Sequence, residues 1–297
     1  MDPMVPYPSS SRRRLRRPVR RPARLVVAVV GVSAIVLAGC SDGEDAEIGE
    51  ATVLTAEVVA EHPADATSFV QGLEVMPDGD LLVSTGLEGR SRIYRTPITG
   101  GEPTVSADLD PALFGEGSTR VGDTIWQLTW KNGIAVSRDA TTLEETGRVS
   151  YEGEGWGLCS NGERLVMSDG SDRLTFRDPS TFAVTGTVDV TLDGAPVDQL
   201  NELDCSDGVV WANVWQSDRI LRINPTTGEV TGVLDTSSLD LPARERPGAD
   251  VLNGIAKLPD TGGAADTSDT SGSSGTDRYL LSGKLWDTMY EVQIGGQ

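Results

Sequence analysis

The sequence predicts an all-β fold, a five-bladed β-propeller, on three observations. Short runs of Val, Ile, Leu, Trp and Thr alternate with Asp-Gly and Asn-Gly turns, and no useful stretch carries helical periodicity. One pattern recurs five times, opening near residues 69, 114, 156, 201 and 253, so the starts lie 45, 42, 45 and 52 residues apart. A period of about 40–50 residues holding three or four strands is that of a propeller blade. A β-sandwich with irregular spacing is the competing architecture.

The N-terminal elements come first. Residues 12–24 carry eight Arg and no acid, and an apolar run of fourteen residues, Leu25 to Ala38, follows. A basic segment, a short apolar core and a small-residue ending make a secretory signal over residues 1–39, since a spanning helix needs about 20 residues. The ending Leu37-Ala38-Gly39-Cys40 resembles the lipobox of bacterial lipoproteins. That resemblance implies cleavage before Cys40, lipidation of its sulfur, and an exported protein anchored at the outer face of the cell membrane. An uncleaved signal anchor is the alternative. Ser11-Arg12-Arg13-Arg14-Leu15 also resembles a twin-arginine export signal. Residues 40–51, rich in Asp, Glu and Gly, read as a flexible acidic tether.

The propeller is expected over residues 52–297. A strand from Thr52 to Ala60 precedes the first blade and is expected to pair into the last one, closing the ring and removing a sheet edge. Within the blades, Asp78-Gly79, Gly122-Asp123, Asn161-Gly162 and Asp207-Gly208 are hairpin signals. They separate first strands such as Gln71-Gly-Leu-Glu74 from second strands such as LLVSTG, IWQLTW and VVWANVW. In the fifth blade a low-complexity insertion, residues 260–277, takes the turn's place.

Charge and His content narrow the function. The 297-residue chain carries a formal charge of −20, and without residues 1–39 it keeps 17 basic and 44 acidic residues, a net −27. Such a surface argues against nucleic acid and against anionic lipid head groups, so membrane attachment would rest on the lipid alone. His62 is the single His, which excludes a multi-His zinc site and leaves a Ser-His-Asp triad one base with no motif around it. No metal and no cofactor are expected, and the chain is expected to be a monomer.

In a propeller, equivalent positions near each blade's start converge on one mouth. Here they are Phe69 and Gln71, Phe114 and Glu116, Trp156, Asn201 and Glu202, and Asn253, joined from second strands by Trp130, Trp215 and Lys284. Aromatics, amides, one Lys and one or two acids thus meet at one place. The Trp residues also fit a blade-packing role. Glu202, a strand neighbour of Asn201, is expected to face the blade interior or a backbone amide.

Nine motifs in order carry a family resemblance over nearly the whole mature chain. Phe69-Val-Gln-Gly-Leu-Glu74, Ser84-Thr-Gly-Leu87, Phe114-Gly-Glu-Gly117, Gln127-Leu-Thr-Trp-Lys131 and Gly155-Trp-Gly-Leu158 are the first five. Leu200-Asn-Glu-Leu203, Ala212-Asn-Val-Trp-Gln216, Val251-Leu-Asn-Gly-Ile255 and Gly283-Lys-Leu-Trp286 complete them. The set resembles the plant and bacterial type of glutaminyl-peptide cyclotransferase, a metal-independent five-bladed propeller that converts N-terminal glutamine to pyroglutamate with release of ammonia. The resemblance implies Glu116 as catalytic acid/base, with Phe69, Gln71, Phe114, Trp130, Trp156, Asn201, Trp215 and Lys284 around the substrate. Its partners would be peptides or proteins beginning with Gln. Three positions depart from the pattern: Ser118 for an aliphatic residue, Asp287 for Pro, and Val70 for Thr.

The chemistry of these residues suits that reaction. Ring closure is intramolecular, so the site must hold one rotamer and supply a proton to departing ammonia. One carboxylate can do both proton transfers, and burial among aromatics would raise its pKa toward neutrality. Gln71, Asn201 and Lys284 could donate to the developing oxyanion, and Lys284 is expected to meet substrate rather than Glu116. A peptide-binding propeller without catalysis, or a metal-dependent lactonase-like propeller, are the rival functions. The first gives no reason for Glu116 beside Phe114, and the second would want more carboxylates than aromatics. Cys159 and Cys205 hold the same register in consecutive blades, and the sequence leaves open whether they form a disulfide or pack as two small apolar side chains.

Overall fold

The computed structural model describes residues 50–259 and 277–296. The export signal, Cys40, the tether as far as residue 49, and residues 260–276 of the insertion lie outside the described residues. Asp277, counted above with the insertion, is the first residue of a strand.

The apolar runs are strands. β1 spans Thr52–Pro63. β2 (Val70–Val75), β3 (Asp80–Thr85), β4 (Arg92–Pro97) and β5 (Val105–Asp108) form one antiparallel sheet. β6 (Gly115–Val121), β7 (Thr124–Thr129), β8 (Ile134–Asp139) and β9 (Glu145–Ser150) form the second. β10 (Leu158–Ser160), β11 (Leu165–Met167), β12 (Arg173–Arg177) and β13 (Val184–Asp189) form the third, followed by a small hairpin, β14 (Thr191–Leu192) and β15 (Ala195–Pro196). The rest is one sheet built from β16 (Leu200–Ser206), β17 (Val209–Val214), β18 (Arg219–Ile223) and β19 (Val230–Asp235), then β20 (Leu252–Lys257), β21 (Asp277–Gly283) and β22 (Thr288–Gly296).

β1 joins the two halves of that last sheet. It pairs antiparallel with β22 from Leu54 to Pro63 and parallel with β19 over Thr52–Leu54. The first strand of each meander touches the next: β2 against β6, β6 against β10, β10 against β16, β16 against β20, and β20 against β2. The arrangement therefore closes on itself, as an all-β, barrel-like ring.

Local chemistry explains the hairpins. Asp207 and Gly208 both take positive φ, 51° and 76°, the two-residue turn whose twist matches its flanking strands. Side chains between neighbouring sheets form the core. Trp126 of β7 packs on Phe182, at 4.9 Å between centroids, and Trp211 of β17 packs on Tyr279 of β21 at 5.2 Å. Phe182 and its counterpart Leu143 plug the gaps beside the second and first sheets from the turns after β12 and β8. The turn after β4 has Gly100 and Gly101 instead, and there a cavity of about 360 Å³ remains, lined also by Thr96, Tyr94 and Met289. The Cys159–Cys205 pair, left open above, is a disulfide linking β10 to β16, with Cα atoms 5.4 Å apart.

Candidate active site

Four of the first strands break register at the same place. β2 slips between Val70 and Gly72, β6 between Gly115 and Ser118, β16 between Leu200 and Leu203, and β20 between Leu252 and Ile255. Each slip is a β-bulge, which re-aims a side chain that strict alternation would direct elsewhere. Gln71, Glu116, Asn201 and Asn253 sit inside these four bulges. All four are buried. Asn201 and its strand neighbour Glu202 are both buried, and Glu202, expected to face the blade interior or a backbone amide, accepts two backbone amides.

Glu116 is 4% exposed. Its Oε1 accepts a hydrogen bond from Gln71 Nε2 at 2.9 Å. Gln71 is itself oriented by Asn253, whose Nδ2 donates to Gln71 Oε1 and to the Val70 carbonyl, both at 3.0 Å. Gln71, expected as an oxyanion donor, thus spends one of its two amide hydrogens on Glu116. The main chain at Glu116 is pinned as well. Ser84 Oγ donates to the Glu116 carbonyl at 2.5 Å, Gln127 Nε2 donates to Ser84 Oγ, and Arg138 Nε donates to Gln127 Oε1. This buried relay crosses two sheets and fixes where the carboxylate starts.

The electrostatics match the burial. Desolvation pushes the Glu116 carboxyl well above its ordinary range; the Lys284 charge opposes this, and the Glu154 charge adds to it. Burial lowers the Lys284 ammonium, with Glu116 and Asp250 pulling the other way. Lys284 Nζ lies 4.9 Å from the Phe69 ring centroid, a cation–π position. Lys284 therefore feels Glu116 electrically, a coupling that the sequence-based expectation set aside.

The expected aromatics come together around this centre. Phe69 stands edge-on to Phe114 at 6.2 Å, Phe114 lies 5.5 Å from Trp130, and Trp156 stands edge-on to Trp215 at 5.4 Å. Gly86 makes room for the Phe114 ring, which an added Cβ would overlap. Asn201 Oδ1 is buried without a partner, a free acceptor at the site.

Sequence reasoning missed three contributors. Glu154 accepts the indole N–H groups of Trp130 at 2.8 Å and Trp156 at 3.1 Å. It stands two residues before Trp156, where an acid at a loop end gave no signal. The sequence places Asn253 at the mouth but gives it no role, and Ser84 and Gln127 stand in two of the motifs with nothing in the sequence to link them to each other or to Arg138. Among the described residues, no group of three His, Cys, Asp or Glu is placed to hold a metal ion. The 360 Å³ cavity shares Val70 and Leu73 with β2 but none of the site residues.

Comparison with known proteins places this geometry. The glutamine cyclotransferase family model matches residues 31–294. A glutaminyl-peptide cyclotransferase of Arabidopsis thaliana is 35% identical over 241 residues, covering 80% of this chain and 71% of that protein. The crystal structure of a glutaminyl cyclase from Myxococcus xanthus superimposes with a TM-score of 0.72 at 35% identity, covering 84% of this chain and all of the other.

Proposed function

The chain belongs to the glutamine cyclotransferase family, and from that premise we propose that Glu116 carries both proton transfers of glutaminyl cyclisation. The reaction converts an N-terminal glutaminyl residue of a peptide or protein to pyroglutamyl and releases ammonia. The observation that carries the proposal is a buried carboxyl, raised by desolvation, that takes one side-chain donor, Gln71.

The steps balance as follows. The substrate's free α-amine attacks its own side-chain amide carbon, and Glu116 takes one proton from that nitrogen as the C–N bond forms. The carbonyl electrons move onto oxygen, stabilised by the Lys284 ammonium. Glu116 then returns the proton to the side-chain nitrogen, the C–N bond to it breaks, the carbonyl re-forms and ammonia leaves. Glu116 ends as it began. Orientation supplies much of the rate, since the attack is intramolecular and the aromatic walls hold a single rotamer. Asn201 Oδ1 is available to accept the substrate's N–H.

The finer features belong to the same reading. The scaffold is a five-bladed propeller in which β1 completes the fifth blade, supported by the ring of five first strands. The protein works as a monomer, supported by a site assembled within one chain, and it is exported and held outside the membrane through lipid on Cys40. No metal takes part, supported by the single His.

The test is ammonia release from a Gln-initiated dipeptide, with and without chelator, by wild-type protein and Glu116→Gln. Turnover that survives chelation and disappears in the variant is expected. Full wild-type activity in Glu116→Gln removes Glu116 from the mechanism, and loss on chelation restored by zinc replaces the metal-free route.

A further inference from the structure

We propose that Glu154 is a positioning residue of this site, holding the two halves of its aromatic wall in register through a single carboxylate oxygen. The proposal rests on the cyclotransferase reading and deepens it. The wall consists of two ring series, Phe69–Phe114–Trp130 and Trp156–Trp215. The join between them is a shared acceptor: Glu154 Oε2 receives Trp130 Nε1 at 2.8 Å and Trp156 Nε1 at 3.1 Å. An indole N–H only donates, and a bond to an ionised oxygen is stronger than a neutral one, so each ring's rotation is tied to the same atom.

The loop that carries Glu154 is itself strapped to the opposite turn. Tyr151 N donates to the Gly133 carbonyl at 2.8 Å, Gly155 N donates to the Trp130 carbonyl at 2.9 Å, and Tyr151 Oη donates to the Thr129 carbonyl at 2.5 Å. On its outer side, Lys131 Nζ lies 3.8 Å from Glu154 Oε1 and 4.0 Å from the Trp130 ring centroid. The Glu154 side chain is 40% exposed, so its loss leaves the core between the sheets intact.

Glu154 also acts on Glu116 through space. The groups facing Glu116 are Gln71 from β2, Lys284 at the end of β21, and Tyr151 and Glu154 from the loop before β10. Of these, Glu154 adds to the upward push on the Glu116 carboxyl, and Lys284 opposes it. Removing the charge at Glu154 therefore moves the acid limb of kcat/KM to lower pH.

Two variants of the full chain separate clamp from charge. Glu154→Ala removes both; Glu154→Gln keeps an oxygen for the indoles and removes the charge. With a Gln-initiated dipeptide, Glu154→Ala is expected to lower kcat/KM roughly 10–100-fold, mostly through KM, as misplaced walls do. Glu154→Gln should restore KM toward wild type, and both variants should shift the acid limb downward. A wild-type KM in Glu154→Ala overturns the proposal. So do equal losses of kcat in both variants with an unmoved acid limb, the mark of a generic structural role. If the wild-type protein releases no ammonia, the cyclotransferase reading fails, and near-UV circular dichroism decides the clamp instead. A tryptophan signal altered in Glu154→Ala and kept in Glu154→Gln supports it; an unaltered signal in Glu154→Ala overturns it.

Discussion

Glu116 on β6 and Glu202 on β16 lie one residue apart in the repeating register, and both are buried and pushed well above the ordinary carboxylate range. Glu116 belongs to the layer of Gln71, Trp156, Asn201 and Asn253. Glu202 belongs to the next layer, where the other strands carry Gly72, Gly117, Gly157 and Gly254. Those glycines mark where the first strands crowd one another: an added Cβ at Gly117 or Gly157 would run into neighbouring backbone. Glu202 reaches across this waist, accepting the amides of Leu73 at 3.2 Å and Ile255 at 2.8 Å. Below it, Glu74 accepts the Arg120 amide and Asp204 the Lys257 amide. The lower carboxylates staple strand to strand. Glu116 takes a single side-chain donor and keeps lone pairs for a substrate. Burial and a raised pKa are common to both regions; what separates chemistry from structure is whether main-chain amides already use the oxygens.

The sharpest break of that comparison is Glu116→Gln. Turnover should fall about 10²–10⁴-fold, the range for a general acid–base, while the melting temperature stays at the wild-type value. A large fall in melting temperature would place Glu116 with the staples. Glu202→Ala should do the reverse, leaving two buried amides without an acceptor at a cost of about 2–6 kcal/mol in denaturant unfolding. Its kcat, measured on the folded fraction, should stay close to wild type.

Smaller effects sharpen the lower region. Replacing Cys159 and Cys205 together by Ser should cost about 2–4 kcal/mol, read as a lower denaturant midpoint, with activity retained below it. The smallest effect is in pH. Burial pushes Glu74 up to about 7 from an ordinary 4.5. A folded pKa above the unfolded one means that the native state holds the proton more tightly. The stability is full below the unfolded pKa and is lost as pH rises through about 7. Melting temperature should therefore fall from pH 5 to pH 8, and Glu74→Gln should make that slope shallower. An unchanged slope in the variant would remove Glu74 as its source.

Much of the site was legible because it rides on the repeat. Gln71, Glu116, Trp156, Asn201 and Asn253 recur at one phase of the period, Phe69 and Phe114 stand two residues before it, and Trp130, Trp215 and Lys284 recur at another, so placing the strands placed these residues. Glu154 was not legible, since it sits in a connection between sheets whose length varies and whose residues have no counterpart to align. Gln71 was read as a donor to substrate because a sequence does not say which neighbour takes each amide hydrogen. Asn253 fixes that choice from 182 residues away.

The sequence by itself determined the strands, the period and the converging set, because alternation, turn chemistry and spacing are local and repeat. Tertiary structure alone decided the bulges, the Cys159–Cys205 bond and which backbone amides Glu202 accepts. Each of these depends on distances between strands far apart in the chain, where closing the ring brings one backbone's amides within reach of another strand's carboxylate.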